Sequence, residues 1–119
     1  MRISIIFAAI AGFMLAAAPG RGEVFLAGFE DVPVMPGIAV DPGAVVAFDT
    51  PAGRIVEAYA AGAVTRAALR RYYQSALPQL GWTRTGELTF QREGEILTVE
   101  MLESAAALTI HFRLAPAQR

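Results

Sequence analysis

The chain has no cysteine and no lysine, a single tryptophan and a single histidine, His111. The missing thiols exclude disulfide staples, a lipidated N-terminal cysteine and cysteine chemistry together, so a domain built from this sequence is held by packing alone. One histidine leaves little material for catalysis or metal binding. Beyond the N-terminal segment the hydroxyl nucleophiles reduce to Ser75, Ser104 and a few threonines, and any ligand set would combine His111 with scattered carboxylates. All ten basic residues are arginines, which we read as base-composition bias in the source genome. Strong charge of one sign is lacking as well. Losing a leader that ends at Gly22 would leave eight arginines against eleven acids, a net charge of about −3 that excludes a steering field for nucleic acid. The 119 residues leave room for one domain, and no internal repeat, low-complexity tract or linker interrupts them.

What is present begins with a targeting pattern over residues 1–22. Arg2 is followed by the apolar run Ile3 to Ala18 and then by Pro19, Gly20, Arg21 and Gly22, the order of a secretory signal peptide. The run is shorter than the roughly 20 apolar residues a spanning helix needs. An exported protein, periplasmic or secreted, is therefore expected, with an uncleaved inner-membrane anchor as the alternative and the only route to a membrane. Residues 23–43 then read as a strap: Val24, Phe25, Leu26 and Phe29 are apolar anchors, while Pro33, Pro36 and Pro42 remove donors and hold their predecessors extended.

A domain over residues 44–116 follows. Its one amphipathic helix pattern runs from Val64 to Trp82, with Leu69, Tyr72, Tyr73, Ala76, Leu77 and Leu80 on one side. Thr65 is placed to cap its start and Gly81 to end it in the left-handed conformation. Pro78, on the solvent side, should tighten or kink the last turn. Ahead of the helix, Ala44 to Phe48 and Arg54 to Ala61 read as a hairpin with Asp49 opposite Arg54. That pairing puts Val46, Phe48, Ile55, Glu57 and Tyr59 on one face and Val45, Ala47, Val56, Ala58 and Ala60 on the other, and periodicity favours neither as the inner one. After the helix, Thr83 to Arg92, Glu95 to Glu103 and Ala107 to Leu114 form a meander. A turn at Glu93 and Gly94 sets Phe90 opposite Leu97 and Leu88 opposite Val99; a short loop through Ser104 and Ala105 sets Val99 opposite Ile110 and Leu97 opposite Phe112. One face is apolar from Trp82 to Phe112, and the other carries Glu87, Thr98, Glu100, His111 and Arg113. The expected fold is α+β, an antiparallel sheet of about five strands in the order ββαβββ, with one helix on one face and the other face wet.

The order Asp31-Val32-Pro33-Val34-Met35-Pro36-Gly37, a strand pair, a helix holding Tyr72 and Tyr73, Leu77-Pro78-Gln79-Leu80-Gly81-Trp82 and a hairpin at Phe90-Gln91-Arg92-Glu93-Gly94 resembles a group of small uncharacterised secreted bacterial proteins. These pair a Pro-x-x-Pro-Gly segment with a tyrosine-bearing helix ending in Gly-Trp. The resemblance covers most of the chain beyond the leader and implies no activity, ligand or catalytic residue.

The chemistry on offer is thin. A Ser-His-Asp arrangement needs Ser75 or Ser104 beside His111, yet the first lies on the helix flank and the second at the end of the sheet. His111 with Glu100 and Glu87 makes a weak metal set, and Glu87 opposite Glu100 is more often an exposed repulsion than a glycosidase pair. Arg66 and Arg70, one helical turn apart, could join Arg84 in holding an anionic head group or phosphate, although such arginines usually cover an apolar stripe with their stems. The expectation is a non-catalytic envelope module with no cofactor and no metal, binding an envelope protein or a small apolar ligand through the sheet edge, the strap or the surface of Phe48, Ile55 and Tyr59. The alternatives are a small enzyme acting at the polar sheet face near His111, or an anionic-ligand binder using Arg66, Arg70 and Arg84.

Overall fold

The computed structural model describes residues 25–26, 29, 31–103 and 106–117. The leader pattern over 1–22, Val24, and the loop residues Ser104 and Ala105 lie outside the described residues. The elements are β1 (Ile38–Val40), β2 (Val46–Thr50), β3 (Gly53–Gly62), α1 (Arg66–Gln79), β4 (Thr83–Arg84), β5 (Thr89–Arg92), β6 (Glu95–Glu103) and β7 (Leu108–Pro116). Every strand pairing is antiparallel, in the order β1-β3-β7-β6-β5-β4, with β2 also beside β3. The class is α+β as expected, but the strand count rises from about five to seven and the order becomes βββαββββ. Two local events account for the difference. Gly37, at φ +102°, starts a short strand along the far end of β3, and a one-turn 3-10 helix over Pro42–Ala44 steps the chain across to the near end as β2. The expected strand Thr83 to Arg92 folds back on itself, because the amides of Thr85 and Gly86 both donate to the carbonyl of Thr89, at 2.8 and 3.2 Å.

Helix α1 begins where Thr65 Oγ1 accepts from the amide of Ala68 at 3.0 Å. It ends as Pro78 and Gly81 dictate. Pro78 is exposed, the amide of Leu80 tightens onto the carbonyl of Leu77 at 2.9 Å, and Gly81 sits at φ +96°. Leu69, Tyr73 and Leu77 are the buried stripe, and they join Val56, Ala58, Ala60, Leu97, Ile110 and Phe112 in one core. The open question of the first hairpin is thereby answered by volume: the small side chains of β3 face inward, leaving room for Tyr73, whose ring meets Phe112 edge-on at 5.6 Å.

The turn between β5 and β6 pairs Arg92 with Glu95 and Phe90 with Leu97, with Glu93 and Gly94 both at positive φ (48° and 81°). Between β6 and β7 the expected register is corrected by two residues. Val99 faces Phe112 and Leu97 faces Leu114, because the loop spans four residues, 104–107, and not two. A two-residue slip preserves strand parity, so the apolar face is unchanged.

The strap belongs to the same core: Leu26, Phe29 and Val32 are buried in it. Tyr73 Oη donates to the carbonyl of Pro33 at 2.7 Å and accepts from the amide of Met35 at 3.1 Å. Trp82, also buried, donates through Nε1 to the carbonyl of Asp31 at 3.3 Å. Arg92 pairs with the Asp31 carboxylate, donates to the carbonyl of Leu80 at 2.9 Å, and lies 4.7 Å over the Trp82 ring. The Pro-x-x-Pro segment, the tyrosine helix, the Gly-Trp end and the last hairpin thus meet at one structural junction. No helix among the described residues is long and apolar enough to cross a membrane.

Candidate functional site

Strand parity sorts the sheet into an inner face under α1 and the strap, and an outer face that no helix among the described residues covers. Three rows cross the outer face from β3 through β7 to β6. One holds Tyr59, His111 and Glu100; the next holds Glu57, Arg113 and Thr98; and Ala115 faces Ile96 in the third, with Ile55 next to Ala115 by continuation of the β3–β7 register. Beyond them, β2 adds Phe48 opposite Ile55 and Val46 opposite Glu57.

His111 is the most constrained residue of this face. Its ring stacks on Tyr59 with centroids 4.5 Å apart and planes 15° apart, Nε2 lies 2.9 Å from Glu57 Oε1, and Nδ1 lies 3.5 Å from Glu100 Oε1. The side chain is only 14 % exposed. A neutral imidazole can donate to only one of these carboxylates, whereas an imidazolium can donate to both and so staple β3, β7 and β6. Arg113 Nε donates to the other oxygen of Glu57 at 3.4 Å. The Glu57 carboxyl is held below its usual range, foremost by the hydrogen bond from His111; partial burial opposes this, and the charges of His111 and Arg113 and the bond from Arg113 add to it. The arrangement turns the one histidine towards carboxylates.

The alternative chemistries are dispersed. Ser75 is exposed on α1, in a groove of about 690 Å³ bordered by Arg71, Tyr72 and Met35, with the sheet between it and His111. Glu87 turns to Arg70 on the helix side at 2.7 Å while Glu100 stays on the outer face, so the two glutamates do not share a surface. Arg66 is engaged by Glu103 at 3.0 Å. Arg84 lies on the edge strand β4, past the opposite end of a 14-residue helix about 20 Å long, so Arg66, Arg70 and Arg84 do not converge. Among the described residues no group of three or more histidines or carboxylates is disposed to hold a metal ion.

The apolar candidates share the outer face. Phe48, 51 % exposed, pairs with partly buried Ile55, and Tyr59, 37 % exposed, lies further along β3 beyond Glu57. The structure adds Val46, 52 % exposed, and the trio Ile96, Ala115 and Pro116. Ile96 could have been found from its outward parity. Pro116 could not, because β7 runs two residues past the expected end at Leu114. Comparison of the chain with protein-family models, with curated proteins and with solved structures gives no match.

Proposed function

We propose that this chain is an exported, non-catalytic binding module of the cell envelope that engages an envelope protein or a small apolar ligand through the outer face of its sheet. The observation that carries the reading is the set Val46, Phe48, Ile55 and Tyr59, large apolar side chains on a sheet face that no helix among the described residues covers. An aromatic on a strand costs little conformational entropy when a partner immobilises it, which suits a recognition surface. The Arg2, Ile3–Ala18, Pro19 pattern supports export. The test is association with an envelope fraction, followed alongside circular dichroism. Phe48→Asp and Tyr59→Asp should weaken association while the domain stays folded, because the substitutions fall on the outer face; His111→Gln should leave association intact. Retained association in well-folded Phe48→Asp, with function lost in well-folded His111→Gln, would favour an enzyme instead.

A further inference from the structure

At the end of the outer face where β2 turns into β3, Ile55, Ile96, Ala115 and Pro116 enclose a pocket of about 240 Å³ with Arg113 and Thr98 on its border. The register explains the hollow. Ala115 lies between Ile55 and Ile96, a methyl group between two larger side chains, while Arg113 and Thr98 stand opposite each other in the neighbouring row. The volume falls below the roughly 300 Å³ at which sites begin to engulf a drug-sized molecule, so the hollow suits one short aliphatic or aromatic group. Arg113 lines the pocket; its Nε donates to Glu57 at 3.4 Å, and its guanidinium carries two further donor groups, Nη1 and Nη2. An apolar hollow rimmed by a guanidinium is complementary to a short apolar body that ends in a carboxylate.

We infer that this pocket takes a small monocarboxylate, with its apolar end on Ile55, Ile96 and Ala115 and its carboxylate on the Nη groups of Arg113. This deepens, and rests on, the reading of the outer face as the binding surface. The test is an NMR titration of the ¹⁵N-labelled protein with hexanoate and with hexanamide, the neutral analogue of the same shape. Hexanoate should move the amide signals of Ile96, Thr98 and Ala115, and hexanamide should bind at least tenfold more weakly. Arg113→Gln, at an exposed position, should bring hexanoate down to the affinity of the amide, and Ala115→Leu should fill the hollow and abolish binding of both. Absence of shifts at tens of millimolar hexanoate, equal affinity for acid and amide, or unchanged hexanoate affinity in Arg113→Gln would overturn the inference. If hexanoate fails while Phe48→Asp still weakens envelope association, the pocket is refuted and the binding surface stands. If hexanoate binds as described while Phe48→Asp leaves association untouched, the wider surface is refuted and the pocket stands.

Discussion

The Tyr73 hydroxyl is buried, yet it both donates and accepts, joining the middle of α1 to backbone atoms of Pro33 and Met35. Replacing it with phenylalanine leaves the ring packing in place and strands a buried carbonyl and a part-buried amide, so Tyr73→Phe should cost about 1–3 kcal/mol in urea denaturation. Burial also pushes the phenol well above its ordinary value. For a folded value above the unfolded one, the contribution is fully present below about pH 10 and is lost progressively as the pH rises beyond it. Wild type should therefore lose stability from about pH 10 upward more steeply than Tyr73→Phe. Glu57 works in the opposite direction. Its carboxyl is depressed in the fold, so its contribution is present above the usual value of 4.5 and is lost as the pH falls through the lower folded value. Glu57→Gln should flatten the acid limb of the stability curve, and identical acid limbs for the two proteins would show that the His111 and Arg113 contacts carry no net stabilisation.

Individual elements differ in how plainly the sequence announces them, and the reasons are physical. Helix α1 was legible at both ends because capping is local chemistry: Thr65 for the first turn, Pro78 and Gly81 for the last. The β2–β3 and β5–β6 pairings were equally legible, each closed by a two-residue connection. The β6–β7 loop was not, since Ser104, Ala105, Ala106 and Ala107 include no glycine, proline or asparagine to mark a turn. β1 was missed because three residues carry almost no periodic signal and their partner lies past a proline-containing turn. What secures β1 is Gly62 on β3, where a Cβ would run into the Gly37 carbonyl and the Ile38 backbone. Gly62→Ala should thus force β1 away and destabilise the domain by about 1–3 kcal/mol. Hydrogen exchange would locate the effect: amides of Ile38–Val40 should lose protection first, and uniform loss along β7 instead would mean that β1 docking is not the sensitive step.

Over the described residues the molecule is one helix and one strap covering one face of a seven-stranded sheet, and that asymmetry decides where the core lies. Parity alone separated the two faces of β3, but apolar residues occupy both, so which one is inner was settled only by the bulk of Tyr73 and Phe112 against Ala58 and Ala60. The candidate site was legible to the same degree: Phe48, Ile55 and Tyr59 share a face by alternation, whereas their exposure depends on the helix lying on the other side. Because Leu26, Phe29 and Val32 share a core with α1 and the sheet, the strap is not a detachable tail. It should melt with the rest, in a single cooperative transition of the kind small domains show. Trp82 is a natural reporter of this, being the only tryptophan and touching the strap through Asp31 and the last hairpin through Arg92. Tryptophan fluorescence and far-ultraviolet circular dichroism should therefore give coincident urea transitions, and Phe29→Ala, which empties a buried ring site beside Phe112, should move both midpoints together by about 3–5 kcal/mol of stability. A fluorescence transition at lower urea than the dichroism, widened by Phe29→Ala, would show that the strap opens on its own and that the sheet under α1 is the cooperative unit.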